Sequence, residues 1–134
     1  MELLEKMRAA KRVFIVGNGG SSANAAHMVN DLETCGIRAY VMNEATKSAW
    51  ENDYGHDGVF ARWIELHGEP GDLLIALSGS GKSRNIIQAC MVADAKGMAV
   101  HREFGADQGF DMEASEERQV WLGHELKRQL RDRR

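Results

Sequence analysis

Asp72-Leu-Leu-Ile-Ala-Leu-Ser78, followed at once by Gly79-Ser-Gly-Lys-Ser83, is the stretch on which the reading of the fold turns. An unbroken apolar run is too short for a buried helix and lacks the alternation of a half-exposed strand. Entered through Pro70-Gly71 and left through glycine and serine, it reads as a strand covered on both faces. Residues 83 to 96 behind it carry a helical pattern, so the unit is strand, Gly-Ser turn, helix. An earlier segment repeats that order. Arg12-Val-Phe-Ile-Val-Gly17 is a β-branched apolar run, and Gly17-Asn-Gly-Gly-Ser-Ser22 is its turn. Residues 21 to 34 then place Ala25, Met28, Val29 and Leu32 near one helical face, with Gly36 where a helix stop belongs.

Outward from these two units the pattern continues. A short amphipathic helix covers residues 1–10, and a second strand covers 38–42. Helical segments lie at 45–51 and 58–66, the latter with Phe60, Trp63 and Ile64 as its apolar stripe. The segment Asn52-Asp-Tyr-Gly-His-Asp57 interrupts them. A weaker strand at 98–104 and a last helix at about 113–131 complete the chain. Strands alternating with helices predict an α/β fold: a three-layer αβα sandwich on a parallel, doubly wound, flavodoxin-like sheet of four or five strands. Residues 1–134 read as one domain. In such sheets ligands sit at the carboxyl ends of the strands, where both glycine-rich turns fall.

The 134 residues, 28% of them charged, sum to a formal charge of −3, which lacks the basic footprint of a nucleic-acid binder. The local run Lys127, Arg128, Arg131, Arg133 and Arg134 reads as the solvated end of a helix. With no apolar stretch of membrane-spanning length and no signal peptide, the chain is expected in the cytoplasm, with Cys35 and Cys90 as reduced, small buried residues.

Glycine lets backbone N–H groups approach an anion, a helix N-terminus adds free donors, and serine adds hydroxyls, so the paired turns predict a phosphate site. The competing reading is a pair of tight turns with N-caps, but it leaves unexplained why two turns of the same composition occupy matching places. The phosphate motif G-x-x-x-x-G-K-[ST] fails, because its first glycine would fall on Ala76 inside the strand. The dinucleotide pattern G-x-G-x-x-G finds Ser22 where its third glycine belongs and leaves the second turn idle. No nucleotide is expected.

Read together, Gly17-Asn-Gly-Gly-Ser21, His27, Asn52-Asp-Tyr-Gly55 and Gly71-Asp-Leu-Leu-Ile-Ala-Leu-Ser-Gly-Ser-Gly-Lys-Ser83 resemble the sugar isomerase (SIS) family, most closely its phosphoheptose isomerase branch. The resemblance implies that Ser78, Gly79, Ser80 and Ser83 hold a substrate phosphate, and that Asn18, Gly19, Ser21 and Asp53 contact the sugar. It also implies a homo-oligomer, dimer or tetramer, with active sites between subunits. His27, Asp31, Glu116 and His124 match the positions that line the reaction site and can hold one zinc or other divalent ion. His27 and Asp31, at i and i+4, share a helix face. Glu116 and His124 stand eight residues apart, about 12 Å along a helix, too far for easy convergence on one ion, and Glu117 is the competing carboxylate.

The implied reaction is aldose–ketose isomerisation of a sugar phosphate, sedoheptulose 7-phosphate to glycero-manno-heptose 7-phosphate, with Asp31 and His124 as base and acid. Three departures stand out: Asp31 in place of the branch's glutamate, Glu116 in place of glutamine, and a stretch from Gly105 to Ala114 too short for the usual fifth strand. The alternative is a non-catalytic SIS module that binds a sugar phosphate or a protein, of the replication-initiator-binding type. Asn24-Ala-Ala26 is the feature shared with it.

Overall fold

The computed structural model describes residues 2–131. Four parallel strands, β1 (Val13–Val16), β2 (Ala39–Tyr40), β3 (Leu73–Ser78) and β4 (Ala99–Phe104), form one sheet in the order β2-β1-β3-β4. The helices are α1 (Glu2–Ala9), α2 (Gly20–Glu33), α3 (Glu44–Tyr54), α4 (Val59–His67), α5 (Arg84–Ala95) and α6 (Met112–Arg131), with a 3-10 turn at Gly105–Gln108. The expected α/β sandwich is present, with four strands, the smaller of the two expected numbers, among the described residues.

Successive strand residues point to opposite faces, and the sequence supplies an apolar residue to both. Val13, Ile15, Leu73, Ile75 and Leu77 face α1, α2 and α6, where Leu3, Met7, Met28, Leu32, Leu122 and Leu126 close the core. Phe14, Val16, Leu74 and Ala76 face the other way, onto Phe60, Trp63, Ile64, Ile86 and Ala89 of α4 and α5. All six residues of β3 are buried, as a central strand covered on both sides requires.

Two expected boundaries differ. The second strand, anticipated over 38–42, is reduced to Ala39–Tyr40, because Asn43 caps α3 by accepting hydrogen bonds from the amides of Ala45 (2.9 Å) and Thr46 (3.2 Å). Helix α3 then runs through Asn52 and Asp53 to Tyr54, so only residues 55–58 interrupt α3 and α4. At the other edge the chain passes from β4 to α6 through the short 3-10 turn. Gly105 packs so tightly under α6 that a Cβ there would lie 1.7 Å from Ser115 Oγ. Asp111 caps α6 by accepting from the Ala114 amide at 2.8 Å.

Candidate active site

β1 and β3 are adjacent and parallel, with Val13 opposite Leu73 and Val16 opposite Ala76, so the turns leaving them emerge side by side. Between them lies a cavity of about 90 Å³ lined by Asn18, Ser21, Leu77, Ser78, Gly79, Ser80, Ser83 and Met112. Serine and asparagine side chains dominate its lining, which suits a small polar group. Its floor is tied by a reciprocal amide pair: Asn18 Nδ2 donates to Asn85 Oδ1 and Asn85 Nδ2 to Asn18 Oδ1, both at 2.9 Å. Asn85 is fully buried.

The second turn is held open by its own serines. Ser78 Oγ accepts from the Gly81 amide at 2.9 Å and Ser80 Oγ from the Lys82 amide at 3.1 Å, which leaves each hydroxyl proton for another partner. Ser83 stands at the N-cap of α5 without making a side-chain cap, and the amides of Arg84, Asn85 and Ile86 have no hydrogen-bond partner among the described residues. Free donors and the positive end of the helix therefore face the turn. In the first turn, Gly19 has φ +54, a left-handed conformation that favours glycine. Gly19, expected at the substrate, shapes the turn through this geometry but does not line the cavity.

α2 and α6 run side by side away from the cavity, and polar groups mark their seam. Gln119 Nε2 donates to Ser21 Oγ at 3.0 Å, and Asn24 Nδ2 donates both to Gln119 Oε1 (2.9 Å) and to the Glu116 carbonyl (3.1 Å). Further along, His27, Asp31 and His124 offer ligand atoms that all lie within 4.8 Å of one another. His27 Nδ1 is 3.6 Å from Asp31 Oδ2, and Lys127 Nζ is 3.9 Å from Asp31 Oδ1. Asp31 is 2% exposed, and its buried Oδ2 has no hydrogen-bond partner. An orphaned buried carboxylate oxygen between two imidazoles is a donor set that fits a divalent cation, zinc included.

Besides Gly19, two expected site residues are not brought to these groups. Glu116 stays one helical stretch away from His124, as the rise of a straight helix dictates. Its carboxylate instead lies against Gly20, where an added Cβ would come 1.5 Å from Oε2. Asp53 is exposed on α3, a helix with no buried residue, and does not line the cavity. Conversely, Asn24, Asn85 and Gln119 are structurally engaged without having been singled out for this from the sequence; the only hint is that each lies within a few residues of one that was.

A larger cleft of about 410 Å³ lies beside β2, lined chiefly by Phe14, Tyr40, Met42, Trp50 and Trp63. Its one strong charge, Arg12, is already paired with Asp72 at 2.9 Å. The smaller cavity, with its convergent donors, is the better candidate for an anionic ligand.

Known proteins resemble this chain in sequence and in fold. The phosphoheptose isomerase of Rhodospirillum rubrum is 40% identical over 111 residues, covering 77% of this chain and 59% of that protein. That of Geotalea daltonii is 36% identical over 115 residues, covering 80% and 60%. The chain thus spans about three fifths of the length of these curated relatives. The structure of phosphoheptose isomerase GmhA from Neisseria gonorrhoeae superposes with a TM-score of 0.86 at 24% identity, over 97% of this chain and 81% of that one, and shares the fold. A family model described as the SIS domain matches residues 2–101, and with the parallel sheet and paired turns in place, the chain belongs to the SIS domain family.

Proposed function

We propose that residues 1–134 act as one SIS unit that isomerises an open-chain sugar phosphate, converting sedoheptulose 7-phosphate to glycero-manno-heptose 7-phosphate. The observation that carries this reading is the convergence of the two Gly-Ser turns on one donor-lined cavity, from which the α2–α6 seam leads to His27, Asp31 and His124. From Ser21 to His27 the helix rises about 9 Å, a span that calls for an extended ligand rather than a compact one.

In this mechanism Ser78, Ser80, Ser83 and the free amides of α5 bind the phosphate, and Ser21, expected from the resemblance to contact the sugar, lines the same cavity and joins them in holding the ligand in place. Asp31 takes the proton from the carbon beside the carbonyl while His124 protonates the carbonyl oxygen. The resulting enediol gives up its other hydroxyl proton as a proton returns to the neighbouring carbon, which yields the aldose. His27, Asp31 and His124 would hold a zinc or other divalent ion, which when bound supplies polarisation of the substrate oxygens. A homo-oligomer with shared sites is supported by the exposure of Tyr54, Leu66, Met91 and Trp121, and by Asp53 lying on an outer helix face from which it can serve a neighbour. The free thiols of Cys35 and Cys90 suit a cytoplasmic setting.

Proton exchange in deuterated water, followed by NMR with sedoheptulose 7-phosphate, tests the proposal. The wild-type protein incorporates deuterium at the carbon beside the carbonyl, and Asp31→Ala slows incorporation by about 10²-fold or more. Binding without exchange in the wild-type protein would instead support a non-catalytic module.

A further inference from the structure

The hydrogen bonds joining Asn24, Gln119 and Ser21 have only one self-consistent direction, and it is set by a backbone atom. A carbonyl oxygen can only accept, so the group of Asn24 that lies 3.1 Å from the Glu116 carbonyl must be its NH₂. The same NH₂ lies 2.9 Å from the Gln119 side chain, which must therefore present its oxygen there. That leaves the Gln119 NH₂ facing Ser21 Oγ at 3.0 Å, as a donor. Ser21 Oγ accepts this bond, and its single proton has no acceptor among the described residues. Ser21 is 4% exposed and lines the small cavity between the two turns.

We propose that Gln119 is a positioning residue that polarises Ser21: by occupying the serine's acceptor side from α6, it commits the hydroxyl to act as a donor into the cavity, and so selects an anionic oxygen such as that of a phosphoryl group. The proposal rests on the reading of that cavity as the phosphate site. Gln119 is 1% exposed and does not line the cavity; it acts through Ser21, with its own orientation fixed by Asn24. Because Gln119 and His124 share α6, the device also ties the helix carrying the proposed acid to the pocket that would hold the phosphate.

Reversing the bond without changing the shape gives the test. Gln119→Glu keeps the size and still accepts from Asn24, but its second oxygen accepts from Ser21, so the hydroxyl turns its proton away and faces the cavity with lone pairs. Gln119→Met removes the bond and frees the hydroxyl to rotate. Binding of inorganic phosphate and of sedoheptulose 7-phosphate is measured by calorimetry on the full chain, beside thermal unfolding. Losing one hydrogen bond to a charged group is worth about tenfold or more in affinity. The expected order is wild type tightest, Gln119→Met weakened a few-fold, and Gln119→Glu weakened about tenfold or more. A packing or plain charge effect alone predicts that Gln119→Glu weakens binding just as much in a Ser21→Ala background, and that result would overturn the proposal, which expects the Gln119→Glu penalty to shrink to a few-fold or less there. Should Gln119→Glu fail to fold, Asn24→Leu serves. Asn24 does not line the cavity, yet its loss releases the Gln119 amide to flip, so the expected result is a few-fold weaker binding; unchanged binding would overturn the proposal. If wild type binds neither ligand, the phosphate reading fails and the relay with it, whereas normal wild-type binding with no effect of Gln119→Glu defeats the relay alone.

Discussion

Glu103 shows what a single residue contributes at the passage from β4 to α6. It is 4% exposed at the end of β4, and accepts hydrogen bonds from His101 Nε2 at 3.0 Å and Gln108 Nε2 at 2.7 Å, with Arg118 Nε of α6 at 3.5 Å. Burial is the largest influence and favours the neutral acid. The hydrogen bonds from His101 and Gln108 and the charges of His101 and Arg118 together outweigh it, holding the carboxyl below its ordinary value of 4.5. A carboxylate whose pKa is depressed by folding stabilises the native state fully above its unfolded pKa, and that contribution is lost as pH falls through the lower folded value. Thermal unfolding should therefore show stability declining below about pH 4.5. Glu103→Gln should be less stable at neutral pH and should show a flatter acid limb. Equal acid limbs for the two proteins would mean that Glu103 does not anchor α6.

At the scale of elements, β3 and the helices packed on it hold the site in place, because both turns and both core faces depend on the central pair β1 and β3. Leu77 is fully buried directly before the serine turn and also lines the cavity, so Leu77→Ala should destabilise the fold by about 2–5 kcal/mol, read as a lower unfolding midpoint in urea. These strands were legible in the sequence because a run such as Leu73-Leu-Ile-Ala-Leu77 carries its own burial on both faces. β2 was less so: whether residues 41 and 42 continue a strand depends on Asn43 capping the next helix, a competition decided by structure outside the run. In the candidate site, His27 and Asp31 could be paired from helical spacing alone, and the spacing also warned that Glu116 and His124 would not meet. Gln119 could not be found this way. Its partner Ser21 is 98 residues distant, and only the packing of α6 on α2 brings them together.

At the scale of the whole molecule, a four-stranded SIS sheet presents two glycine-serine turns at one end and two polar-seamed helices on one face. The seam gives chemistry a place only if the turns hold a ligand at its head. All further proposed roles, acid and base at His124 and Asp31, a divalent ion held by His27, Asp31 and His124, and subunits closing the site, depend on that grip. Backbone amide NMR during titration with sedoheptulose 7-phosphate measures it most directly. With a shared phosphate site, the amides of residues 18–22 and 79–86 shift together and saturate along one binding curve. Shifts confined to one of the two turns, or curves with separate midpoints, would contradict a shared phosphate site.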